Sequence, residues 1–98
     1  MKNKNLFESV IILKGAFTED EYKKALKSIT ERIKNIVDIT KIDEVGKKKL
    51  AYEVKKNSEG YYVVTTFEAE PTLITELERN YRITDDVIKF MVIRQDEN

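Results

Sequence analysis

Six apolar residues, Tyr22, Ala25, Leu26, Ile29, Ile33 and Ile36, return mostly at steps of three and four. Lysines and Glu31 stand between them, so one side of the segment is apolar and the other charged. A strand alternates its faces every second residue and cannot present this pattern. The spacing therefore predicts a helix of about five turns. Thr18-Glu19-Asp20-Glu21 precedes it and fits a capping box, with Thr18 capping the first free amides and Glu21 reaching back. Such a helix needs a second layer to cover its apolar side.

The flanking segments supply that layer. Residues 6–13, LFESVIIL, begin alternating and end as a continuous apolar run, which predicts a central strand closed by Gly15. Within it Ser9 falls at an inward position better suited to an apolar residue, predicting a slightly weaker core there. After the helix, Val37 and Ile39 alternate with polar residues, as do Leu50, Tyr52 and Val54, with Gly46 between them. This predicts one long strand bent or bulged at Gly46. Lys56-Asn57-Ser58-Glu59-Gly60 has turn composition, and the β-branched and aromatic stretch from Gly60 to Ala69 follows as a strand. Pro71 permits a second helix start, with Leu73, Ile74, Leu77 and Tyr81 as its apolar side. Thr84-Asp85-Asp86 resets the chain before a last strand from Val87 to Ile93.

The order strand, helix, strand, strand, helix, strand in 98 residues predicts one domain, with a core over about 5–95 and frayed ends. The expected class is α+β: a ferredoxin-like βαββαβ fold whose four-stranded antiparallel sheet carries two helices on one face. Right-handed crossovers place the first and third strands in the centre.

Composition narrows the chemistry. The chain has no histidine and no cysteine, which removes disulfides, thiolate nucleophiles, imidazole bases and Cys/His metal sites. Glu19-Asp20-Glu21, Asp85-Asp86 and Asp96-Glu97 do not converge with a phosphate loop or a nucleophile, so no enzyme, metal site, cofactor or small-molecule substrate is expected. The apolar core of the N-terminal stretch, Val10 to Leu13, is too short for a signal peptide, and no membrane span is predicted. A cytoplasmic location is the simplest expectation. Eighteen basic and eighteen acidic residues cancel, so no global field draws the chain to nucleic acid.

Two surfaces remain. If Tyr61, Val63 and Phe67 point inward with Ile11, Leu13, Phe90 and Val92, then Val10, Ile12, Tyr62, Val64, Met91 and Ile93 share the uncovered sheet face. An apolar patch of that kind predicts a partner surface. Lys47-Lys48-Lys49 either neutralises phosphates or serves as a solvated edge strand that deters aggregation. Lys4 and Arg94 are expected on one rim, while Lys2, Arg79 and Arg82 are further basic candidates scattered in sequence. The segment from Gly60 to Phe67 is also partly similar to the third-strand motif of RNA-recognition modules, although only Tyr62 offers an outward ring. An independent module binding single-stranded RNA is the alternative reading.

The segment Gly46-Lys47-Lys48-Lys49-Leu50-Ala51-Tyr52 resembles the signature of the bacterial small-subunit ribosomal protein six family, a Gly, basic residues, then Leu-Ala-Tyr. Leu77 to Val87, with Arg82-Ile83-Thr84-Asp85-Asp86-Val87 at its core, resembles the family's second helix and following turn. The resemblance spans roughly residues 5–95. It implies a structural ribosomal protein that pairs with small-subunit ribosomal protein eighteen and binds the central domain of 16S rRNA. On that reading Lys2, Lys4, Lys47, Lys48, Lys49, Arg79, Arg82 and Arg94 are the RNA-contact candidates, and the open sheet face holds the partner.

Overall fold

The computed structural model describes residues 4–95. In chain order they form β1 (Asn5–Lys14), α1 (Glu19–Ile33), β2 (Asp38–Val54), β3 (Asn57–Ala69), a 3-10 turn (Pro71–Leu73), α2 (Ile74–Arg82) and β4 (Val87–Arg94). The four strands make one antiparallel sheet in the order β2-β3-β1-β4, the ferredoxin-like arrangement expected.

Thr18 closes the start of α1 as a full capping box: its hydroxyl accepts from the Glu21 amide at 3.2 Å and its amide donates to Glu21 Oε1 at 2.8 Å. Tyr22, Ala25, Leu26, Ile29 and Ile33 are buried on the sheet side. The helix stops at Ile33, after 15 residues and about four turns. Ile36 lies past its end, in a turn where the Ile36 and Val37 amides both donate to the Ile33 carbonyl. In α2 the buried residues are Leu77 and Tyr81; Ile74 is half-buried, and Leu73 lies in the preceding turn, facing solvent. The Arg32 guanidinium donates to Thr84 Oγ1 at 3.0 Å, tying α1 to the turn after α2.

Phe7, Ile11, Leu13, Tyr61, Val63, Phe67 and Ala69 meet both helices in one continuous core. Their parity is the expected one. Tyr22 stacks on Tyr61 with ring centres 4.2 Å apart, and Phe7 stacks on Phe67 at 5.7 Å. The Tyr22 hydroxyl donates to Glu44 Oε1 at 2.9 Å, linking α1 to β2. Burial, and secondarily that carboxylate, raises the Tyr22 pKa above its ordinary value.

Ser9 is fully buried at the centre of this layer, where its hydroxyl lies 2.9 Å from that of Tyr81. The pair resolves the apparent misfit of a serine at an inward position: each hydroxyl satisfies the other, and neither is left desolvated without a partner. Burial also raises the Tyr81 pKa.

The β2–β3 connection differs from the sequence expectation. The turn residues are Lys55 and Lys56, both at positive φ (50° and 66°), and Asn57 already belongs to β3. A two-residue hairpin turn with both centres left-handed matches the twist of the flanking strands. The Asn57 side-chain amide donates to the Val54 and Lys55 carbonyls, at 3.3 and 3.0 Å, which holds lysines in a conformation that side chains usually avoid. Gly60 is required for space instead: a Cβ there would sit 2.3 Å from Ile12 Cγ2. Gly46, at φ 113°, is required for conformation and marks the expected bulge.

Near the hairpin tip, β2 leaves its register: Lys49 pairs with Glu59 and Val54 with Asn57, so Leu50–Glu53 face only Ser58. This surplus bows across the open sheet face. Tyr52 reaches β4, the farthest strand, where its hydroxyl accepts from Lys89 Nζ at 3.1 Å and its ring lies 5.2 Å from that ammonium. Leu50, Tyr52 and Val54 thereby roof Ile12 and Tyr62.

Two outcomes are expected. Tyr81→Phe, which strands the Ser9 hydroxyl, should cost about 1–3 kcal/mol in urea unfolding. Adding Ser9→Ala should recover part of that cost; a neutral Tyr81→Phe would show that the pair contributes nothing. Tyr52→Ala should raise amide exchange at residues 50–54 while α1 and β1 stay protected. Uniform loss of protection, or none, would contradict a locally held clasp.

Candidate partner and nucleic-acid interface

Residues facing one another across antiparallel strands share a face, so the register maps the open side directly. Its central row is Val64 on β3, Val10 on β1 and Met91 on β4. The row toward one end is Thr66, Glu8 and Ile93; the row toward the other is Tyr62, Ile12 and Lys89. Met91 is 55% exposed and Ile93 40%, while Val10, Val64 and Tyr62 are half-buried. Gln95 Nε2 donates to Glu8 Oε1 at 2.7 Å beside Ile93.

Ile12 departs from the expectation. It is only 6% exposed, because the bowed hairpin segment covers it, so it cannot meet a partner directly. Ile88, at 5%, is buried next to it above Gly60. The available patch is thus shifted toward Val64, Val10, Met91 and Ile93, and among the described residues β4 leaves one edge unpaired alongside it. The roofing segment was invisible to a strand-parity argument because parity assigns faces and says nothing of what folds over them.

The basic candidates separate into two loci. Lys4 and Arg94 lie at the end of the sheet where Phe7 pairs with Arg94. Lys4 is ion-paired with Asp38, which raises its pKa through a hydrogen bond and charge attraction. Lys47–Lys49 lie at the opposite end, opposite Tyr61, Gly60 and Glu59. Tyr61 and Phe67 are six strand positions apart, which separates the loci by about 20 Å. Alternation also divides the run itself, since Lys48 shares the open-face parity of Gly60 and Tyr62 while Lys47 and Lys49 do not. Lys47 sits 3.9 Å from Glu59 and 5.5 Å from the Tyr61 ring centre.

Arg79 and Arg82 are exposed in the last turn of α2, and the Arg82 guanidinium lies 5.7 Å from the Phe90 ring centre. Arg82 therefore belongs with the Lys47–Lys49 end of the sheet, since Val87 pairs with Leu13 and Leu13 with Tyr61. Lys2 lies outside the described residues. Lys55 and Lys89 join the same end, the first at the hairpin turn and the second on β4. Neither stands among the contact candidates read from the sequence; the position of Lys55 depends on where the hairpin turns, whereas Lys89 has the open-face parity of its strand.

The aromatic rings do not form a stacking platform. Tyr61, Phe7, Phe67 and Tyr22 are stacked inside the core, and Tyr62 is half-covered by the hairpin segment. Among the described residues no cluster of three or more carboxylates could hold a metal ion, and no helix is long and apolar enough to cross a membrane. Of the acidic groups singled out in the sequence, Glu21 is used as a helix cap, and Asp86 offers its backbone carbonyl to the Lys14 amide at 3.1 Å.

Comparison with known proteins agrees with this architecture. The profile of the family described as ribosomal protein S6 matches residues 6–94. The small ribosomal subunit protein bS6 of Caldanaerobacter subterraneus subsp. tengcongensis is 43% identical over 96 residues, covering 93% of this chain and 97% of that one. The bS6 of Helicobacter hepaticus is 46% identical over 89 residues, and there the match spans 65% of the longer relative. The crystal structure of 30S ribosomal protein S6 from Thermotoga maritima superposes with a TM-score of 0.86 at 29% identity, covering 95% of this chain and 89% of that one. With nearly its whole length matched by profile, relatives and structure, the chain belongs to the ribosomal protein S6 family, whose members are structural and not enzymes.

Proposed function

We propose that the chain is a cytoplasmic structural constituent of the small ribosomal subunit, that it pairs there with small-subunit ribosomal protein eighteen, and that the pair binds the central domain of 16S rRNA. The observation that carries this reading is the apolar row Val64, Val10 and Met91 with Ile93 beside it on the uncovered sheet face, half-buried at the valines and exposed at Met91 and Ile93, on a chain of zero net charge. A neutral protein gains little from phosphate neutralisation on its own, so a basic partner seated on the apolar rows supplies the missing attraction. Tyr62 borders that seat. The unpaired edge of β4 adds backbone donors and acceptors that a partner strand or loop can use.

On this reading Lys4 and Arg94 meet RNA at one end of the sheet, and Lys47, Lys48, Lys49, Arg79 and Arg82 meet it at the other. Such contacts set orientation on the phosphate backbone without reading bases. Two separated loci suit a protein lying along a folded RNA better than one threading a single strand. The inward aromatic rings support the same choice over an independent single-strand module.

The test is filter binding of a central-domain rRNA fragment, with and without purified protein eighteen. Tight binding only with the partner is expected. Val64→Asp and Met91→Asp should abolish pairing while leaving the circular dichroism of the free chain nearly native. Lys48→Ala should lower the salt slope of the paired complex by about one unit. Equal binding without the partner, or pairing that survives both aspartate substitutions, would overturn the proposal.

A further inference from the structure

A carboxylate stands inside the apolar seat. Glu8 belongs to β1, which has a strand on either side, and it faces the open side of the sheet. Thr66 and Ile93 lie directly across from it, and Leu6 and Val10 share its face along the strand. Glu8 is half-buried among them, although the hairpin segment covers only the other end of the face, at Ile12 and Tyr62. Charged side chains are usually depleted from the centre of an interaction surface and kept at its solvated rim. Glu8 breaks that rule.

Among the described residues no ion pair uses Glu8. Its Oε1 accepts a hydrogen bond from the neutral side-chain amide of Gln95 at 2.7 Å. That bond orients the carboxylate, leaves its charge uncompensated, and spares lone pairs on both oxygens. The surroundings have the same sign. Asp43 lies across from Val64 and Glu68 across from Leu6, while Lys41, across from Thr66, is the cation of these rows. Asp38, beside Glu68, is already ion-paired with Lys4. A chain of zero net charge is therefore acidic around its exposed apolar patch.

An apolar group laid over Glu8 strips its water and returns nothing, whereas a cation in contact with it replaces the lost interaction. Arginine suits the place better than lysine. Its guanidinium is weakly hydrated, and its planar fork can engage a carboxylate that is already oriented.

We propose that Glu8 is the specificity-determining residue of the partner seat, and that it receives an arginine which a basic partner protein inserts between Thr66 and Ile93. The inference rests on the pairing proposed above and adds to it the side chain that selects the partner. Apolar contact then supplies adhesion, and Glu8 penalises any partner that brings no cation to that position.

The test is calorimetric titration of the full chain with purified small-subunit ribosomal protein eighteen. Glu8→Gln keeps an oxygen for Gln95 and should retain a native circular dichroism spectrum, yet weaken pairing about thirtyfold or more. Asp43→Asn, at the exposed edge of the same face, should weaken it less than about threefold. Glu8→Leu separates the proposal from a purely apolar seat, which it would improve; weaker pairing is expected. Each arginine of protein eighteen is then replaced by Gln in turn. One of these changes should cost little further once Glu8 is Gln, the signature of a coupled pair.

Tighter pairing by Glu8→Leu, equal losses at Glu8 and Asp43, or no coupled arginine would overturn the inference. If Val64→Asp abolishes pairing while Glu8→Gln leaves it unchanged, the role of Glu8 falls and the pairing stands. If the unsubstituted chain does not bind protein eighteen, both fall together.

Discussion

The two central strands carry apolar residues on both faces, and the rest of the structure answers that demand. Phe7, Ile11, Leu13, Tyr61, Val63 and Phe67 are covered by the helices. Val10, Ile12, Tyr62 and Val64 point the other way, where the topology offers no helix. Burying an aliphatic side chain is worth about 1.5–3 kcal/mol, so an uncovered second face forgoes a substantial part of what a domain this small can gather. The chain covers half of that face with its own hairpin and leaves the other half exposed. Self-coverage ends between Ile12 and Val10, two residues apart on one strand, and the candidate partner surface begins there.

Much of this was legible in the sequence because it depends on periodicity. The steps between Tyr22 and Ile33 gave the first helix, and Thr18 with Glu21 gave its start. Alternation along Gly60 to Ala69 assigned the faces of β3 correctly, and the order of elements led to the sheet order. Helix length was overread by about a turn, since Ile36 keeps the spacing although the chain has already turned after Ile33.

What could not be read was where the hairpin reverses. Asn57-Ser58-Glu59-Gly60 has the composition of a turn, yet each of these residues serves the strand. Asn57 pins the preceding turn with its side chain, and Gly60 admits Ile12 at close range. Two lysines therefore occupy left-handed positions that composition would assign to Asn and Gly. Moving the turn forward changes the site as well as the fold. It frees Leu50–Glu53 to cross the sheet, hides Ile12, and carries Lys55 toward Arg82 and Lys89.

The clasp between Tyr52 and Lys89 also orders events in time. It joins residues 37 apart in sequence and forms across β3 and β1, so both ends depend on strands already in place. A contact that presupposes the finished sheet is expected to form late, and the loss of a late contact shows in unfolding rather than in folding. The clasp is accordingly a brake on opening. It sets how long a folded chain keeps its hairpin shut and contributes little to how the fold is found.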